Sequence, residues 1–248
     1  MIRSLTFFLF TLAFAVPSDA ATSISLEVSG GVSLDATYYS AGQPGPGLLF
    51  LNMCDPSRDQ TAWAQVATEL AGKGYHILTF DYRGFGKSGG ERPMNLASVD
   101  EAMPYWRENW MGDVQIAYDM LTSQHGVNAN AVGVAGASCG VFMGLEFAIS
   151  HSNVESLVFL GGPTDAQQRE KLAAMNDIPV LLISGDERGP NEVRGTLEWS
   201  EEVFAVSGHP ATRFFKYKTE THGTNVFEHH PETQAMVIDW FLHSVSRN

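Results

Sequence analysis

The sequence predicts an α/β protein in which a mostly parallel sheet is covered by helices on both faces. Three observations carry this. The runs LLFLNM (48–53) and HILTFDY (76–82) are continuously apolar, as strands buried on both faces must be. Between them Trp63, Val66, Ala67, Leu70 and Ala71 recur at helical spacing, with Gly72 or Gly74 placed to end the helix. The same alternation then repeats down the chain, which is the pattern of parallel strands joined by crossover helices.

The first residues read as an export signal. MIRSLTFFLFTLAFAVPSDA (1–20) joins a basic start at Arg3 to an apolar run from Leu5 to Val16 and to small residues, Ser18 and Ala20, suited to cleavage. That run is too short to cross a bilayer. Cleavage after Ala20 is expected to leave residues 21–248 as one exported domain, periplasmic or secreted, of a length at which α/β folds often stay undivided.

Short β-rich runs come next, SISLEV (23–28) and LDATYYSA (34–41), before the two buried strands. Trp110, Val114, Ala117 and Leu121 form a second helical stripe leading into the strand AVGVAGA (131–137). Strands LVFLGG (157–162) and PVLLISG (179–185) follow, then a helical stretch near 191–206 and strand TRFFKYKT (212–219). A last helix from Pro231 to about Val245 presents Met236, Val237, Trp240 and Phe241 inward. So little chain lies between 162 and 179 that no large cap domain fits there.

The formal net charge is −13, and it stays there when the signal, with one base and one acid, is removed. Without a basic cluster such a surface repels polyanions, so neither nucleic acid nor an anionic membrane is expected as a partner. Two cysteines, Cys54 and Cys139, are too few for a disulfide scaffold.

The chemistry concentrates at GASCG, Gly136 to Gly140. It satisfies G-x-S-x-G and sits between a buried strand and a helix containing Phe142, Met143, Leu145 and Phe147, the context of a nucleophile elbow. The strained turn demands small residues two before and two after the nucleophile. Only Ser138 has glycine at both places, whereas Cys139 would be flanked by Ala137 and the β-branched Val141. Ser138 is therefore the expected nucleophile, and the Cys139 N–H is placed to face a developing oxyanion.

Here the chain resembles the α/β-hydrolase family, and within it the compact hydrolases related to dienelactone hydrolase. The resemblance spans nearly the whole mature chain: the elbow, DYRGFGKSGG (Asp81 to Gly90) as the family's D-x-R-G-x-G-x-S turn, THG (221–223), and the closing helix with Trp240. Dienelactone hydrolases carry cysteine at the elbow centre, so their lactone specificity is not implied. The order serine, acid, histidine implies His222 as base, with His229 and His230 as runners-up. The family's acid lies in G-x-x-D after the strand 179–185; Gly185 is followed by Asp186, Glu187 and Arg188, so arginine occupies the aspartate position. Glu187 is the first candidate, Asp186 the second, and Asp165 the third. By alignment to the family's His-Gly-x, the second oxyanion donor is the amide of Cys54. Two amides aimed at one oxyanion bring Cys54 and Cys139 near the range a disulfide tolerates, although their side chains could diverge.

These residues specify acyl transfer from a small-molecule ester to water, with no metal or organic cofactor. The segment Phe85 to Asn109, with Met94, Leu96, Met103, Tyr105 and Trp106, reads either as a small apolar rim to the site or as packing. Two rivals remain: a ligand-binding protein on the same fold, and a peptidase. Oligomeric state is not legible.

Overall fold

The structure, a computed structural model, describes residues 21–93, 98–186 and 195–247. The proposed signal (1–20), Met94, Leu96 and Glu187 lie outside the described residues. An eight-stranded sheet runs through the molecule in the order β1-β2-β4-β3-β5-β6-β7-β8. Its strands are β1 (Ala21–Val28), β2 (Val32–Tyr39), β3 (Gly45–Leu51), β4 (His76–Phe80), β5 (Val127–Ala137), β6 (Val154–Leu160), β7 (Val180–Gly185) and β8 (Arg213–Tyr217).

β1 and β2 form a hairpin whose turn holds Gly30 and Gly31, both at positive φ as a tight hairpin turn requires. β2 joins β4 antiparallel, and every later pairing is parallel. The registers Leu51↔Gly136, Ala137↔Leu160 and Leu160↔Ile183 bring the carboxyl ends of β3, β5, β6 and β7 to one edge of the sheet. Ligands of open α/β sheets bind at such an edge.

Helices cover both faces. On one lie α2 (Val99–Asn109), α3 (Met111–Ser123), α4 (Cys139–Ser150), α5 (Ala166–Leu172) and α6 (Thr196–Val206); on the other lie α1 (Ala64–Ala71), the short α7 (Val226–His229) and α8 (Glu232–Ser244). α1 ends at Gly72 as its spacing predicts, and α8 buries Val237, Ile238 and Phe241, with Met236 and Trp240 half-buried at its margin.

The structure changes one of these readings and adds detail to two others. The strand read as 48–53 ends at Leu51, because Asn52 and Met53 turn out of the sheet towards the elbow. A Cβ on Gly140 would lie 2.5 Å from Leu51 O and 2.8 Å from Asn52 O, so the two segments meet backbone to backbone. The stretch after Phe85 contains α2, started by Ser98, whose hydroxyl accepts from the Glu101 N–H at 3.3 Å. Of the two readings of this segment, packing describes Met103 and Trp106, which are buried, while Phe85, Ala102 and Trp106 also line a cleft. Finally, α5 stands between β6 and β7, opened by a capping box of Asp165 and Gln168.

The DYRGFGKSGG turn is a structural joint. Gly84 and Gly86 both have positive φ, and Ser88 Oγ donates to Asp81 O at 2.6 Å while accepting from Asp35 N at 2.9 Å. Arg83 grips Asp113 of α3 through Nε at 2.7 Å and Nη2 at 2.5 Å. Asp81 is 1% exposed and accepts from the Gln60 N–H at 2.7 Å. Burial pushes its carboxyl up to about 6, against amide hydrogen bonds that pull it down.

A raised folded pKa of an acid means stability that is complete below the ordinary aspartate value and lost as pH rises through the folded one. From pH 4 to 6.5 the wild type should therefore lose roughly 2–3 kcal/mol through Asp81. An Asp81→Asn variant lacks this titration, so the unfolding free energy of wild type minus variant should fall by that amount over the range. A difference that stays flat with pH would show that Asp81 ionises alike in folded and unfolded chains.

Candidate active site

Ser138 occupies the junction of β5 and α4 with φ 52° and ψ −121°, and it is the one non-glycine at positive φ among the described residues. Such strain costs an L-residue about 1–3 kcal/mol and persists only where the surroundings impose it. They do so here. The Ser138 N–H donates to Leu160 O at 3.1 Å, and its carbonyl accepts from Val141 N at 2.9 Å. A Cβ on Gly136 would fall against the Gly140 carbonyl, and one on Gly162 would lie 2.8 Å from Ser138 C and 2.7 Å from Val141 Cγ2. The glycines of G-x-S-x-G thus meet a steric demand, and Gly162 adds a third small residue that the motif alone does not name.

His222 follows β8 and precedes a 3-10 turn, Gly223–Asn225. Gly223 has φ 59°, and a Cβ there would touch Ser138 Cβ at 3.5 Å and Met53 Sδ at 3.1 Å. On the other side, a Cβ on Gly161 would touch His222 Cβ at 3.4 Å. The histidine loop is therefore packed directly on the elbow, and both Ser138 and His222 are half-buried. Among the described residues no hydrogen bond joins the two side chains, and such bonds often tighten only when substrate binds. His230 instead lies against the Tyr217 ring, 4.4 Å between centroids, and His229 is exposed at the end of α7.

The acid loop leaves β7 at Gly185, where a Cβ would sit 2.9 Å from Thr221 O and 3.2 Å from Thr219 Cγ2. That close approach sets the end of β7 beside the segment leading to His222. Asp186 donates its N–H to Tyr217 O at 2.9 Å, but its exposed carboxylate makes no hydrogen bond to His222. Glu187, the first candidate, lies outside the described residues. Asp165 is committed elsewhere. It caps α5, accepting from Gln168 N at 2.8 Å, and it accepts from Arg107 Nη2 at 2.6 Å. Although burial would raise its pKa, those hydrogen bonds hold the carboxyl below the usual aspartate value.

Cys54 and Cys139 are joined in a disulfide, with Cα atoms 5.8 Å apart. The Cys139 sulfur is thereby withdrawn as a free thiol, so Ser138 carries the one hydroxyl or thiol left in GASCG. Cys139 opens α4, where the first N–H groups of a helix lack intrahelical partners. Among the described residues neither the Cys139 nor the Cys54 N–H donates to a protein acceptor. Beside the disulfide opens a cleft of about 390 Å³ walled by Cys54, Pro56, Phe85, Trp106 and Trp110, with Arg92 at its edge. Trp106, though buried in the core, does contribute a face to it. A second hollow of about 380 Å³, around Tyr38, His76 and His125, lies at the amino ends of the strands, away from the elbow.

The family model described as serine aminopeptidase, S33, matches residues 59–181, and eight strands in this order carry the elbow after the fifth. The chain has the α/β-hydrolase fold. It is 27% identical over 213 residues to the uncharacterized protein Rv2307c of Mycobacterium tuberculosis strain H37Rv, a match covering 77% of this chain and 69% of that one. Its fold is similar to that of the esterase Pf2001 of Pyrococcus furiosus, with TM-score 0.63, 17% identity, and 91% and 93% of the two chains covered. It is likewise similar to dienelactone hydrolase from Anabaena variabilis, with TM-score 0.63, 20% identity, and 91% and 98% covered. The acylaminoacyl peptidase of Pyrococcus horikoshii matches 92% of this chain, which spans 42% of the peptidase, at TM-score 0.63 and 12% identity.

Proposed function

We propose that the chain is an exported serine hydrolase that cleaves small, uncharged carboxylic esters through an acyl-enzyme on Ser138. The observation that carries the reading is the strained φ of Ser138 at the end of β5, with the His222 loop packed against it. In the proposed cycle His222 takes the Ser138 proton as the hydroxyl attacks the carbonyl carbon, and the Cys54 and Cys139 amides hold the oxyanion. His222 then protonates the departing alcohol, and water repeats the sequence on the acyl group. The aromatic cleft beside Cys54 supports an apolar substrate. The leader sequence supports export, and so does the disulfide, since such bonds persist in oxidising compartments.

A peptidase is favoured by the description of the matching family model. The test is to incubate the mature chain with short-chain p-nitrophenyl esters, the matching p-nitroanilides and a fluorophosphonate, and to map the labelled peptide. Ester turnover with the label on Ser138 is expected. Comparable anilide turnover would select the peptidase, and absence of both turnover and label would select a ligand-binding protein.

The acid is assigned by two substitutions. Glu187→Gln should lower kcat roughly 10²–10⁴-fold by leaving the imidazolium unsupported, whereas Asp186→Asn should stay within about threefold of wild type. The reverse pattern would move the role to Asp186.

A further inference from the structure

Both backbone groups assigned to the oxyanion belong to the two residues joined by the disulfide, and the two segments they come from are tied unequally. Cys139 sits in the first turn of α4, against the sheet, and is 1% exposed. Cys54 sits in the loop after β3, and among the described residues neither its N–H nor its carbonyl is hydrogen-bonded to protein. The rest of that loop is held further on. Asp55 accepts from Ser57 N at 2.8 Å, and Arg58 pairs with Glu228 of α7. On the near side, Met53 is buried and its sulfur accepts from Thr224 Oγ1 at 3.3 Å. Among the described residues the peptide between Met53 and Cys54 makes no hydrogen bond to protein through either the Met53 carbonyl or the Cys54 N–H, and the covalent link to Cys139 ties Cys54 to the elbow.

We propose that the Cys54–Cys139 disulfide is a positioning device for the oxyanion hole, so that acyl transfer requires the oxidised chain; this rests on the reading of Ser138 as nucleophile. An oxyanion donor accelerates reaction only when its orientation is set before charge develops. With the bond cut, the Cys54 amide can turn away, and the transition state loses a donor that the ground-state ester hardly uses. The effect falls on kcat and spares KM.

The link is reachable. Cys54 is half-buried and lines the aromatic cleft, whereas Cys139 is buried with Sγ 3.8 Å from Asn52 O. A dithiol reductant attacks Cys54 Sγ as thiolate and expels Cys139 as thiolate. Its second thiol then closes on the first, releasing Cys54. Two electrons pass to the protein, the reagent leaves as a cyclic disulfide, and each cysteine ends protonated by water.

The experiment measures kcat and KM for a short-chain p-nitrophenyl ester on three proteins: the oxidised chain, the chain reduced with dithiothreitol and desalted, and the Cys54→Ala/Cys139→Ala variant. Near-UV circular dichroism is recorded on each. Expected are a fall in kcat of about 30-fold or more in the last two, KM within about threefold, unchanged tryptophan bands in the near-UV spectrum and recovery of the reduced chain on reoxidation. Unchanged kcat in the reduced chain and the variant overturns the proposal and leaves the serine hydrolase standing. Activity lost together with the tryptophan bands, or a change confined to KM, also overturns it, since the bond would then be a staple or a substrate contact. No turnover even by the oxidised chain overturns both readings.

Discussion

Ser138→Gly is expected to abolish ester turnover while making the fold more stable. Glycine adopts φ near 52° without the clash that serine suffers, which removes about 1–3 kcal/mol of strain. The greater freedom of glycine in the unfolded chain returns about 0.5–1 kcal/mol, so a net gain near 1 kcal/mol is expected. Ser138→Ala keeps a Cβ and so keeps the strain. It should match Ser138→Gly in activity but not in stability, and both should lose at least about 10⁴-fold in kcat. Urea unfolding and ester turnover on the three proteins check this. Equal stability of the glycine and alanine variants would mean that the elbow stores no strain, and residual turnover in both would place the nucleophile elsewhere.

The largest effect on stability is expected away from the elbow, at Arg83. Asp113 is 1% exposed and is held by two guanidinium hydrogen bonds from Arg83. Removing the arginine leaves a buried carboxylate without its counter-charge, at a cost of about 3–5 kcal/mol. Arg83→Ala should lower the denaturation midpoint accordingly, and Asp113→Asn placed on that background should recover part of the loss by removing the stranded charge. A cost below about 1 kcal/mol for Arg83→Ala would show that water reaches Asp113 and that the pair is ornamental.

The same contrast between buried and local determinants explains what could be read from the residues alone. β3, β4 and β7 are buried along their whole length, so their apolar runs announced them. The elbow was legible because backbone crowding dictates glycine at 136 and 140, and steric demands leave a mark in sequence. α2 and α5 were missed for the opposite reason. Each buries only a few side chains, and its surest signal is the cap, Ser98 with Glu101 and Asp165 with Gln168. Read as a possible catalytic acid, Asp165 was a capping residue whose partner stood three positions on. The proposed acid stayed open because G-x-x-D fails at Arg188, and whether a neighbouring carboxylate can reach His222 depends on a loop path that no periodicity encodes. The disulfide was legible only as one of two outcomes: the oxyanion roles proposed for Cys54 and Cys139 place them near bonding range, and the direction of their side chains, which decides the bond, leaves no mark in the sequence.

That bond also sets a timetable for biosynthesis. Cys54 and Cys139 are 85 residues apart and are the two cysteines of the whole chain. At ordinary translation rates the first thiol leaves the ribosome roughly 4–17 s before the second. Throughout that interval it has no partner within its own chain, correct or incorrect. Maturation therefore calls for an oxidant but has no scrambled intramolecular isomer to correct, and the one available pairing error is between two chains emerging side by side.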